Sequence, residues 1–92
     1  MSIVTIHGLS KKQLQLCSLP KDSQVLSVVV KQEHIYISAM HDVNAKGFCK
    51  RIEVAMFPDG RYFHVDGYTF LGTIVLDFGN TIYHVFYREV NN

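Results

Sequence analysis

Apolar and polar positions alternate with a period of two through most of the chain, and that period predicts strands. Ile3 to His7 is the first such run. Gln13-Leu14-Gln15-Leu16-Cys17 alternates strictly. Ser10 and Gln13 have the spacing of a helix capping box, but the few residues left before Pro20 are too few for a stable helix, so a strand is expected here as well. Gln24 to Gln32 is the clearest strand, with Leu26 and Val28 expected in the core. His34 to His41 places Ile35, Ile37 and Ala39 on one face and Tyr36, Ser38 and Met40 on the other. Gln32-Glu33 joins these two runs as a tight hairpin, although Asn-Gly is the pair that such a turn favours. Cys49 to Phe57, Tyr68 to Asp77 and Asn80 to Arg88 supply the remaining runs, with Tyr68, Phe70, Ile74 and Leu76 expected to share a face. Tyr62 to Val65 is a short aromatic stretch between two turn signals, Pro58-Asp59-Gly60 and Asp66-Gly67. The sum is one all-β domain over 1–92: six or seven short antiparallel strands in a meander, closed into a small barrel or folded into a sandwich, with 89–92 a frayed tail.

Composition narrows the class. The chain is 48% apolar and 18% charged over 92 residues, which suits a compact domain and argues against disorder. No apolar run approaches the about 20 residues of a membrane-spanning helix, and no secretory leader pattern opens the chain, so no membrane association is expected. A net charge of +1 gives no electrostatic footprint for nucleic acid. The charge is uneven, however: residues 1–51 hold seven basic and three acidic side chains, and residues 52–92 hold two and five. Cys17 and Cys49 have no metal-binding spacing and are expected as free thiols in a reducing compartment.

The order of several motifs adds to this reading. Leu19-Pro20, Val25-Leu26-Ser27-Val28, Ile35 to Asp42, Phe70-Leu71-Gly72-Thr73 and His84-Val85-Phe86 together resemble a family of small uncharacterised phage and prophage proteins. The resemblance spans roughly residues 13–88 and implies an all-β domain of phage origin, and with it a place in the host cytoplasm. Two departures stand out: Ser38 occupies a position where the family usually shows Trp, and Phe57-Pro58-Asp59-Gly60 stands where many members carry a Gly-Thr-Gly-His stretch.

Candidate chemistry is sparse. Five histidines (His7, His34, His41, His64 and His84) lack the short spacings of a zinc site, and no metal or other cofactor is expected. His84 suits either a core imidazole or a general base near Asp77 or Asp66. No serine sits in a Gly-flanked turn and no phosphate-binding glycine loop is present, so the expectation is not an enzyme. The last strand is apolar on both faces, with Tyr83, Val85 and Tyr87 opposite Ile82, His84 and Phe86. It is either a covered central strand or a docking strand.

The first expectation is therefore a non-enzymatic phage accessory protein that binds a host bacterial protein to inhibit host defence or host machinery, self-associating as a homodimer. Its contacts are placed on Tyr83, Tyr87 and Arg88, because Tyr and Arg most often carry binding energy. The alternative is a module that holds a small nucleotide between subunits, with Lys50 and Arg51 beside Tyr62. A third reading is a single-stranded nucleic-acid binder on an aromatic platform of Tyr36, Tyr62, Tyr68, Phe63 and Phe70, with Lys31, Lys50 and Arg51 nearby.

Overall fold

The computed structural model describes residues 1–90. It holds seven strands, β1 (Ser2–Leu9), β2 (Leu14–Leu19), β3 (Gln24–Lys31), β4 (His34–Asp42), β5 (Lys50–Pro58), β6 (Thr69–Leu76) and β7 (Thr81–Glu89), and one 3-10 turn at Asp77–Gly79. They form two antiparallel sheets, ordered β1-β4-β3 and β2-β5-β7-β6, packed as a sandwich with no closed barrel. Among the described residues no helix is long and apolar enough to cross a membrane. The connectivity is more than a meander. Only β3–β4 and β6–β7 pair as sequence neighbours, and the chain changes sheet after β1, β2 and β4. Tyr62–Val65 is not a strand but part of the β5–β6 connection. At the C-terminal end Glu89 still pairs with Ile52, and the Val90 amide donates to the Arg51 carbonyl, so the start of the expected frayed tail is held. Residues 91–92 of that tail lie outside the described residues.

The core lies between the sheets and follows the period of two. Ile35, Ile37 and Ala39 of β4 join Ile52, Val54 and Met56 of β5, with Cys17, Leu19, Ile74, Leu76 and Val85, in one buried cluster. Each large side chain so buried contributes about 1.5–3 kcal/mol relative to exposure, which a small domain needs.

Two β-bulges explain where the simple alternation fails. A register shift between Val25 and Ser27 takes Leu26 out of the ladder and leaves it 41% exposed, whereas Val28 packs against the core. A second shift between Phe70 and Gly72 separates residues expected on one face. Ile74 and Leu76 point into the core, but Phe70 is 56% exposed on the other side. One extra residue in a strand reverses the facing of everything beyond it. Gly72 also lies where β3 and β6 approach, since a Cβ there would sit 3.1 Å from Val28 Cγ1.

The β3–β4 turn adopts left-handed backbone at both Gln32 (φ 51°) and Glu33 (φ 65°), the geometry of a type I′ turn without its usual residues. Glu33 also ties the two sheets together. Its carboxylate accepts from the Asp77 amide (2.7 Å) and the Phe78 amide (3.4 Å) at the tip of the β6–β7 hairpin.

Candidate functional site: the outer face of the four-stranded sheet

The register of the four-stranded sheet sets side chains in rows across its outer face. Leu14, Ala55, Phe86 and Phe70 form one row, Leu16, Glu53 and Arg88 a second, and Phe57, His84 and Thr73 a third. Ile82 and Val75 continue the face beyond them. Such a face would ordinarily alternate polar against the buried side. Here Leu14 and Leu16 are each 56% exposed, and Phe70, Val75 and Ile82 are exposed as well.

Phe86 is the hub of an aromatic cluster. Its ring lies 5.3 Å from Phe70, 6.0 Å from Phe57 and 5.7 Å from Phe63, each edge to face. Phe63, from the β5–β6 connection, stacks flat on Phe57 at 4.0 Å and so lays that connection over part of the sheet. Pairs of this geometry add about 0.5–1.5 kcal/mol each beyond area burial.

Polar groups frame the rings on two sides. Glu53 Oε1 accepts from the Tyr68 hydroxyl at 2.5 Å and from Arg88 Nε at 2.7 Å, while the Arg88 guanidinium sits 4.7 Å above the Tyr68 ring. The Tyr68 hydrogen bond, followed by Arg88, holds the Glu53 carboxyl below its ordinary range; burial and the Glu53 bond push the Tyr68 hydroxyl up. On the other side His84 lies between Asp59 Oδ1 (2.8 Å from Nε2) and Thr73 Oγ1 (3.0 Å from Nδ1). The expected partners of His84 are elsewhere: the Asp77 carboxylate accepts from the Thr81 hydroxyl instead, and Asp66 lies in the β5–β6 connection.

The residues singled out from sequence are dispersed. Tyr83 and Tyr87 pack against the core between the sheets, beside Val85, so β7 is an interior strand whose tyrosines face inward. Arg88, on the opposite face, belongs to the framed surface. Tyr36 lies on the outer face of the other sheet, opposite Gly8 and Val29. Tyr62 is fully exposed in the β5–β6 connection, at the far end of β5 from Lys50 and Arg51. The pairing of those two cations with Tyr62 is therefore not formed: a nine-residue strand separates them. Tyr36 and Tyr62 form no common platform either, because Tyr36 lies on the three-stranded sheet and Tyr62 in the connection between two strands of the other. Lys50 and Arg51 instead line a cleft of about 500 Å³ with Lys21, Cys49 and Glu89. Lys50 is already engaged there, donating to the Ser23 carbonyl and pairing with Glu89 at 2.6 Å. Cys49 is exposed and Cys17 buried, both free thiols, and burial pushes the Cys17 thiol up.

The sequence pattern places Phe63 and Phe70 on an aromatic platform with tyrosines but does not group them with Phe57 and Phe86. Phe57 and Phe86 fall on the outward parity of their strands, a signal that was readable. Phe70 joins them only through its bulge, and Phe63 only through a loop, and neither position is visible in a period of two. Elsewhere, Thr5 Oγ1 lies between His7 Nε2 (2.7 Å) and His41 Nε2 (3.0 Å), while Phe48 meets the His7 ring edge-on. Burial, then the charge of His41, lowers the His7 pKa. Among the described residues no three or more His, Cys, Asp or Glu side chains are grouped to hold a metal ion.

No curated protein and no solved structure matches this chain. A family model does, over residues 4–92, nearly the whole of the sandwich described above: the chain belongs to the DUF7352 family, a domain of unknown function.

Proposed function

We propose that the protein is a non-enzymatic binding module that docks a partner protein on the outer face of its four-stranded sheet. The observation that carries this reading is the apolar row Leu14–Ala55–Phe86–Phe70, whose ends Leu14 and Phe70 are each 56% exposed, an aromatic hub with apolar flanks and an Arg88–Glu53–Tyr68 rim. Apolar centre and polar rim are the anatomy of a protein interface, and a ring cluster already held in place loses little entropy on binding. The motif resemblance supports a phage-encoded chain in the host cytoplasm, where the partner is a host bacterial protein and the effect is inhibitory. Tyr83 and Tyr87 then support the surface from beneath, and of these three first-choice contacts Arg88 is the one that reaches it.

The test is capture from bacterial lysate with the wild-type chain, Phe70→Ser and Leu16→Ser, each checked for folding. A partner held by wild type and weakened at least about 30-fold by both variants supports the surface, as a hot spot worth about 2 kcal/mol requires. A partner held equally by all three places binding elsewhere. A second reading is an anionic ligand such as a nucleotide in the cleft, where Lys21, Lys50 and Arg51 outnumber Asp22 and Glu89. Nucleotide absorbance in the purified protein, lost in Lys21→Ala, would favour it.

A further inference from the structure

The four sheet edges of the sandwich are not alike. β3 and β6 each carry a bulge, and they approach one another closely enough that Gly72 meets Val28. β2 is only six residues long, and the preceding Ser10–Lys12 segment folds back on it through hydrogen bonds to Gln15. These are devices that keep a sheet edge from pairing with another chain. β1 has none. It runs eight residues, Ser2–Leu9, in unbroken register with β4, and contains no Asp, Glu, Lys, Arg or Pro. Ile3, Val4 and Ile6 are 43%, 53% and 47% exposed, and a Cβ on Gly8 would meet open space.

The backbone polarity of this edge follows from one contact. The Val43 amide donates to the Met1 carbonyl, so Met1 and Val43 are a hydrogen-bonded pair. Such pairs alternate along an antiparallel ladder. The odd residues of β1 therefore bond to β4, and the N–H and C=O groups of Ser2, Val4, Ile6 and Gly8 turn away from it. Their side chains share the outer face of the sheet, because the odd residues pair with the inward Ile35, Ile37 and Ala39.

We infer that β1 pairs with β1 of a second copy, antiparallel, about a twofold axis at Thr5, joining two three-stranded sheets into one of six strands. A twofold axis normal to the sheet keeps outer face against outer face, so residues of equal parity must stand opposite. Centred on Thr5, Val4 of one copy faces Ile6 of the other and Ser2 faces Gly8. All four outward positions are used, for about eight backbone hydrogen bonds. Centring on Val4 or Ile6 leaves one position unpaired in each copy. The Val4–Ile6 contacts are β-branched pairs of the kind that stabilise cross-strand neighbours. A second copy suits this edge better than a foreign peptide because both strands are free of charged side chains and self-complementary at this register. The interface is small, so the dimer is weak and concentration-dependent. It is separate from the partner face, which lies on the other sheet, and from β7, which is interior and has no free edge.

Sedimentation of the full chain up to about 1 mM reads the association, a concentration at which even a weak dimer forms. Ile6→Pro removes one outward amide and no β4 bond, and Ile6→Lys places a charge opposite Val4 of the other copy. Both variants are expected to fold, with β-sheet circular dichroism retained, and to dimerise at least about 10-fold more weakly, the size of effect that two symmetry-related broken cross-strand pairs allow. Phe70→Ser is expected to leave dimerisation unchanged. In the wild type, amide exchange at Val4 and Ile6 slows as concentration rises, while Thr5 and His7 are protected throughout. A monomer at the highest concentration, a dimer indifferent to both Ile6 variants, or Val4 and Ile6 amides indifferent to concentration would overturn the inference.

Discussion

The two outer faces of this sandwich are both more apolar than a solvated sheet face needs to be, but they are built differently. On the four-stranded sheet the apolar residues touch one another: Phe86 meets three other rings, and the β5–β6 connection contributes one of them. On the three-stranded sheet they stand in separate cross-strand pairs, Val4 opposite Met40 and Tyr36 opposite Val29, with no shared ring cluster among the described residues. Val4 and Ile6 lie along its β1 edge, Tyr36 on β4, and the middle is occupied by Ser27 and Ser38, which face each other across β3 and β4. One sheet offers a surface of side chains, the other an edge of backbone. Exposed apolar area alone does not tell these apart; the neighbours of each exposed residue do.

The largest expected effect tests what the two sheets share. Ile37→Ala on one and Val54→Ala on the other should each cost on the order of 2–4 kcal/mol in chemical denaturation, because both side chains fill one buried cluster. A loss under about 1 kcal/mol at either position would mean that its side chain does not fill the shared core. The next contrast is between the outer faces. Phe86→Ala should cost about 2–3 kcal/mol, below the range for a fully buried ring, whereas Val29→Ala on the other sheet should cost under about 1.5 kcal/mol. Leu26→Ala belongs with the smaller value, since its bulge leaves it 41% exposed.

Acid separates the sheets in a third way. The lowered pKa of His7 means that the unfolded chain binds its proton first. That stability is present above the ordinary 6.5 and declines as pH falls below it. Glu53 has the same sign but begins from an ordinary value of 4.5, so its contribution is lost only at lower pH. Tyr68 is raised and acts oppositely, its contribution present below 10.0 and lost as pH rises through the raised value. Denaturation across pH should therefore show His7→Gln flattening the limb nearer neutrality and Glu53→Gln flattening the more acidic one. The smallest expected effect is a gain. Phe78 is 92% exposed with left-handed φ of 55°, and Phe78→Gly should stabilise by roughly 1 kcal/mol as that strain is released. No change in melting temperature would show that the turn is not strained.

Much of the fold could be read from alternation. The strand runs, the inward parity of Ile35, Ile37 and Ala39, and the two-faced apolar character of Tyr83 to Tyr87 all follow from a period of two. What could not be read had specific causes. Leu26 and Phe70 are misplaced by bulges, which insert a residue without a compositional mark beyond the nearby Gly72. The Gln32-Glu33 turn has the expected pairing but left-handed backbone on residues that rarely adopt it, tolerated where Glu33 gains partners on another strand pair. The candidate site was legible only in part. Arg88 and the parity of Phe57 and Phe86 point to it, while Phe63, Phe70 and the Asp59–His84–Thr73 alignment depend on contacts between distant segments. Lys50 and Arg51 share a strand with the aromatic face but sit at its other end, a separation that adjacency in a list of basic and aromatic residues does not show.

The Glu33 carboxylate joins the tip of the β3–β4 hairpin to the Asp77 and Phe78 amides, across 44 and 45 residues of chain. A contact that closes so long a loop forms only after both hairpins exist and the sheets have met, so it belongs on the native side of the folding barrier. Glu33→Gln should then leave the refolding rate nearly unchanged and speed unfolding, with nearly all of the lost stability in the unfolding limb of the chevron. Glu33 would thus set how long the folded sandwich lasts, with little influence on how quickly it forms.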